Sequence, residues 1–190
     1  MSNENMPKWS NIRKSLLLLD KGELVALAKD LYTLSAENRR FLNARFTQEQ
    51  DQVKVVLADY KQEITYFFFG KRGFSDDLPR LREARKLVRV YQKATKDLPG
   101  TLDLKLHYVE TGTEFTNTYG DIDESFYGSL ESVLADFCED ILQAPDPEQV
   151  YARFAGRLIA LERATYEIGW GYGDAVQELL RDLVSHIEGR

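Results

Sequence analysis

The amino-acid sequence predicts an all-α protein, about nine helices in an irregular multi-helix array or partial superhelix. Apolar side chains recur at intervals of three and four residues along most of the chain, the period of a helix with one buried face. Helix start signals stand ahead of several of these apolar runs. Only one stretch, Thr101 to Tyr119, has strand character, and no second clear strand is available to pair with it.

Taken in order, Trp9, Ile12, Leu16 and Leu19 line one face of a first helix. Asp20 followed by Glu23 has the spacing of a capping box. It opens a second helix that turns Leu24, Leu27, Ala28 and Leu31 inward. Ser35 caps a third, in which Phe41, Leu42 and Phe46 are expected to be buried. A longer helix over about 48–68 carries the stripe Val53, Val56, Leu57, Tyr60, Ile64 and Phe67. Its run Phe67-Phe68-Phe69 is apolar all round and asks for deep cover. Gly70 and Gly73 end it, and a loop follows through Ser75, Asp76 and Asp77. The next helix spans about 78–96, with Pro79 in its first turn, before Pro99-Gly100 breaks the chain.

In the ambiguous stretch, Leu102, Leu104, Leu106 and Tyr108 alternate as in a strand. Thr111, Thr113, Thr116 and Thr118 favour a strand by propensity. Leu102, Leu106, Val109 and Thr113 also share a helical face, and without a partner strand the segment is read as helix. Asp121 with Glu124 is a candidate second capping box, opening a helix to about Leu142 with Phe126, Leu130, Val133, Leu134, Phe137 and Ile141 inward. Asp146-Pro147-Glu148-Gln149 combines a cap, a proline in the first turn and an acid for the helix dipole. That helix buries Val150, Phe154, Leu158, Leu161 and Ile168. Gly169-Trp170-Gly171-Tyr172-Gly173 makes a sharp connection with Trp170 and Tyr172 packed inward. Asp174 with Gln177 starts a last helix bearing Val176, Leu179, Leu180, Leu183, Val184 and Ile187. No repeat or linker divides the chain, so one helical domain over 1–190 is expected, with residues 1–8 flexible.

The composition is that of a globular protein, with 43% hydrophobic and 29% charged residues in 190. No apolar run exceeds five residues, far too short to span a bilayer, and the first residues lack the plan of a signal peptide. A single cysteine, Cys138, excludes an intramolecular disulfide framework and suits a reducing cytoplasm. It is most simply a small core residue. The net charge of -6 conceals a split: residues 1–100 hold 19 Lys+Arg against 13 Asp+Glu, and residues 101–190 hold 6 against 18. The favoured reading is that the two halves face each other and partly neutralise.

Three features could carry chemistry. Arg82, Arg85, Lys86, Arg89, Lys93 and Lys96 make the helix near 80–96 strongly cationic, a candidate surface for an anion or a partner. Its like charges at i and i+4 repel, and either phosphates or carboxylates of the acidic half would relieve that. Whole-chain acidity makes nucleic acid the less favoured partner. His107, Glu110 and Glu114 fall at i, i+3 and i+7 of the expected helix, and with Asp121 and Asp123 they form a candidate metal or ligand cluster. Metal-holding bundles use Glu-x-x-His; here the order is reversed and no second copy exists. Asp121 and Asp123 resemble the start of a calcium loop, but Phe126 and Ser132 stand where glycine and glutamate belong. Trp170, Tyr172 and Asp174 mark a distinctive turn, whose glycines lack the strand and the Lys-Ser or Lys-Thr of a phosphate loop. No Ser-His-Asp or Cys-His set is credible. No cofactor is indicated.

The segments Leu31-Tyr32 to Phe46, Tyr108-Val109-Glu110-Thr111-Gly112-Thr113-Glu114-Phe115-Thr116 with Tyr119-Gly120-Asp121 and Phe126-Tyr127, and Gly169 to Asp174 together resemble a family of bacterial proteins classed as a domain of unknown function. The resemblance covers most of the chain and implies a compact helical fold, with no activity attached. The function expected is noncatalytic protein–protein interaction or regulation through a helical surface. A metal-binding protein or enzyme using the Glu110–Asp123 cluster, and nucleic-acid binding through the basic helix, are the alternatives.

Overall fold

Each segment with a helical period forms a helix: nine are present among the described residues, and no strand. A computed structural model describes residues 7–47, 49–70 and 78–189. The chain divides into two compact units, 1–46 and 47–190, where the sequence suggested one domain. Each unit is described by itself.

The first unit holds α1 (Trp9–Leu16), α2 (Lys21–Leu34) and α3 (Ala36–Phe46). The capping box at α2 forms in full: Asp20 Oδ1 accepts from the Glu23 amide and Glu23 Oε2 from the Asp20 amide, both at 2.8 Å. Ser35 caps α3 by accepting from the Asn38 amide at 3.0 Å, and the Asn38 side chain donates to the Leu31 carbonyl at 2.9 Å. These local bonds fix the α2–α3 corner. Burial does not follow the sequence expectation. Leu24, Leu27 and Leu31 keep 41%, 38% and 45% of their surface, and Phe46 keeps 74%. Phe41 and Leu42 are half-buried, and Ala44 alone is buried among the described residues of this unit. Helices of 8, 14 and 11 residues offer one another too little surface to close a core.

The second unit holds α4 (Gln50–Phe69), α5 (Leu81–Thr95), α6 (Leu98–Tyr119), α7 (Glu124–Leu142), α8 (Pro147–Ala164) and α9 (Tyr172–Glu188). The helix α6 is its axis, packed against α4, α5, α7 and α8. Leu102, Leu104, Leu106, Tyr108 and Val109 are all fully buried. That placement explains the mixed signal: a helix covered on most sides must be apolar at most positions, and its leucines then alternate by accident. Gly112 lets α7 approach, since a Cβ there would lie 2.4 Å from Leu130 Cδ2. Phe68 packs edge-on against Tyr108 and Phe126, at centroid distances of 5.2 and 6.4 Å. Two buried tyrosines of this core have partners for their hydroxyls: Tyr108 with Ser129 at 2.8 Å, and Tyr172 with Thr113 at 2.9 Å. Cys138 is buried, and desolvation pushes its thiol up to about 12, so it is an inert core side chain.

Several boundaries move. The helix expected from residue 78 starts at Leu81, with Pro79 ahead of it. The break expected at Pro99-Gly100 falls earlier, at the left-handed Lys96 (φ 54°), and Pro99 stands in the first turn of α6. Asp123, not Asp121, caps α7, its carboxylate accepting from the Phe126 amide at 2.8 Å. Asp146 caps α8 as expected, accepting from the Gln149 amide at 3.0 Å. The last helix begins at Tyr172 rather than Asp174. Tyr172 packs inward, but Trp170 is 60% exposed: it and Gly171 both adopt left-handed backbone (φ 60° and 73°), which turns the indole outward. Gly73, Ser75, Asp76 and Asp77 lie outside the described residues.

Candidate functional site

Three polar residues of α6 lie on the face turned toward α4 and α8. Asp103, His107 and Glu110 follow one another at spacings of four and three, one helical stripe. Arg157 of α8 reaches that stripe with all three guanidinium nitrogens. Its Nε and Nη2 donate to Glu110 Oε1 and Oε2 at 2.8 and 2.6 Å, and its Nη1 donates to Asp103 Oδ1. Lys61 of α4 holds the other oxygen of Asp103 at 2.8 Å. Two cations thus face two carboxylates in a clasp across three helices.

The charge states follow from this geometry. Burial alone would raise the Asp103 pKa, but hydrogen bonds from Lys61 and Arg157 hold its carboxyl below the ordinary carboxylate range. Burial opposes the charge on Arg157, and the hydrogen bonds to Glu110 and Asp103 raise its pKa in spite of that. The bidentate Arg157–Glu110 pair is a strong, directional contact. Desolvation offsets much of its Coulomb gain.

His107 belongs to the same face but faces α4 rather than the carboxylates. Its Nε2 lies 3.1 Å from the Lys61 carbonyl and 3.0 Å from Thr65 Oγ1. A carbonyl can only accept, so Nε2 carries the hydrogen and donates to it. Burial lowers the His107 pKa below its ordinary value of 6.5, and the nearby Lys61 and Arg157 charges act in the same direction against the pull of Glu110.

The five residues of the candidate cluster therefore do not converge. His107 is bound to α4 and Glu110 to Arg157. Glu114 is exposed at a groove of about 360 Å³ between α6 and α8, lined also by Asn117, Leu161 and Ala164. Asp121 accepts a hydrogen bond from the Tyr127 hydroxyl at 2.8 Å. Asp123 caps α7, and the Ser125 hydroxyl and Phe126 amide lower its pKa. No group of three or more His, Cys, Asp or Glu side chains among the described residues could hold a metal ion. His186 lies on the exposed side of α9, beside the Asp182 carbonyl.

Arg82, Lys86, Arg89, Lys93 and Lys96 are exposed, and Arg85 is half-buried, donating to the Ser132 hydroxyl at 3.3 Å. Arg82, Arg89 and Lys96 make no ion pair among the described residues. The acidic half spends its carboxylates elsewhere: Glu110 and Asp103 on Arg157, and Asp140 on Lys105 at 2.8 Å. Asp174 is exposed in the first turn of α9. The sequence reading missed Lys61, Asp103 and Arg157. Asp103 was findable, four residues before His107 on one face; Lys61 and Arg157 were not, because only packing brings α4 and α8 to α6.

These observations define an all-α protein whose polar interior stripe is charge-balanced and internally tied. Comparison with family models, with curated proteins and with solved structures returns no match.

Proposed function

We propose that this chain is a noncatalytic helical protein that acts by binding another protein. One observation carries the reading: the first unit leaves large apolar side chains in water. Leu18, Leu34, Phe46 and Leu17 keep 86%, 76%, 74% and 72% of their surface, and Trp9 and Val25 more than half. Monomers rarely present so much apolar surface on so short a segment without using it. The candidate carboxylates support the same reading, because Glu110, Asp121 and Asp123 are engaged as ion pair, hydroxyl acceptor and helix cap. The resemblance to a bacterial family brings no activity to set against it.

The test is site-specific. A photo-crosslinking residue replaces Leu18 in cells, and a control chain carries it in place of the exposed Ala152 of α8. The expected result is a discrete adduct with one protein from position 18, absent from position 152 and lost when Leu17→Asp is added. No adduct at 18, or the same adducts from both positions, overturns the reading.

A further inference from the structure

The strongest single-signed surface belongs to α5. At about 100° per residue, Arg82, Arg85, Lys86, Arg89 and Lys93 fall within a sector about 100° wide, and Lys96 follows at the helix end. The opposite sector, Ala84, Leu87, Val88, Tyr91 and Ala94, is buried. From Arg82 to Lys96 the stripe runs about 21 Å at about 1.5 Å per residue. Within α5, the pairs Arg82–Lys86, Arg85–Arg89 and Arg89–Lys93 set like charges one turn apart, which costs an isolated helix a few tenths of a kcal/mol each. The acidic half does not neutralise Arg82, Arg89 or Lys96, although the whole chain carries a net charge of -6.

The other exposed positions of α5 decide what the stripe fits. They are Glu83 and Gln92; none is apolar or aromatic. A protein partner draws most of its affinity from apolar and aromatic anchors seated in pockets. The phosphate backbone of a nucleic acid needs none, because release of its condensed counterions drives the binding. A face without aromatics has nothing on which to stack unpaired bases. We propose that the α5 stripe binds the phosphate backbone of duplex nucleic acid without reading its bases. This surface is separate from the apolar side chains of the first unit, so each proposal can fail alone.

The test is fluorescence anisotropy of the full chain with duplex DNA of about 24 base pairs, in two unrelated sequences, at several salt concentrations. Three to five phosphate contacts predict a slope of log K against log salt of about -3 to -5, hence a loss of about 50- to 1,000-fold between 50 and 200 mM salt. The two sequences should bind alike. Arg82→Glu with Arg89→Glu should lower affinity at least tenfold. Arg153→Glu with Arg163→Glu, the same charge change at exposed positions of α8, should stay within about twofold. If charge reversal perturbs folding, Arg82→Gln with Arg89→Gln should reduce the slope by about 2 instead. Absent binding at low salt, salt-independent binding, or equal loss in the α8 control overturns the proposal. A poly-glutamate peptide that competes as well as DNA, charge for charge, also overturns it and assigns the stripe to an acidic protein.

Discussion

Helix α2 of the first unit and α6 of the second are both apolar over much of their length, yet they meet different fates. Leu24, Leu27 and Leu31 of α2 stay more than a third exposed, while Leu102, Leu104 and Leu106 of α6 are fully buried. The capping chemistry of α2 is the better of the two: it has a complete capping box, whereas no side chain caps α6. Local signals therefore do not decide burial. The number of neighbours does: α6 has four helices packed on it, and within its own unit α2 packs chiefly on α3. A helix gains most of its stability from the faces it covers rather than from its own propensity.

Substitutions can break that contrast. The largest effect is expected at Leu134, fully buried in α7: Leu134→Ala should cost about 2–5 kcal/mol in urea denaturation. Leu18→Ser, at the most exposed leucine of the first unit, should stay within about 0.5 kcal/mol. Equal losses at the two positions would mean that the first unit's leucines are structural after all.

A second, smaller effect tests the α6–α7 approach. Gly112→Val places methyl groups against Leu130, which is itself fully buried and has nowhere to move. Overpacking of this kind costs about 1–3 kcal/mol. A stability equal to the parent's in thermal melts would show that the two helices can separate without penalty.

The smallest effect concerns pH. His107 has its folded-state pKa lowered, so below 6.5 the unfolded chain binds more protons than the folded one. Its contribution is fully present above 6.5 and is lost as the pH falls from there toward the folded value. The groups that face it are Lys61 on α4, Glu110 on its own helix and Arg157 on α8. Denaturation midpoints should fall between pH 7 and pH 5, and His107→Gln, which keeps a donor near the Lys61 carbonyl, should flatten that fall. An unchanged slope in the variant would place the acid sensitivity elsewhere.

Much of the architecture was legible without coordinates. The Asp20-Glu23 box, the Ser35 cap and the Asp146-Pro147 start are local hydrogen-bonding devices, complete within four residues, and all three form as read. The α7 cap shifted from Asp121 to Asp123 because two aspartates in three residues compete for one helix end. The candidate site was harder. The spacing of His107, Glu110 and Glu114 placed them on one face correctly, but which cation or carbonyl each would meet depended on residues some 40 to 50 positions away. The expected neutralisation of the basic helix by the acidic half does not reach Arg82, Arg89 or Lys96, since Arg157, Lys61 and Lys105 draw in carboxylates instead.

The sequence by itself determined that the chain is helical, roughly where each helix begins and ends, and which side chains share a face. Those properties depend on backbone hydrogen bonds and on a period of 3.6, and both are written into neighbouring residues. Only the tertiary structure decided which faces are covered. It buried α6 on nearly every side, tied Glu110 to Arg157 and left Arg82, Arg89 and Lys96 exposed. Burial and ion pairing depend on what arrives from distant parts of the chain, and no local pattern records that.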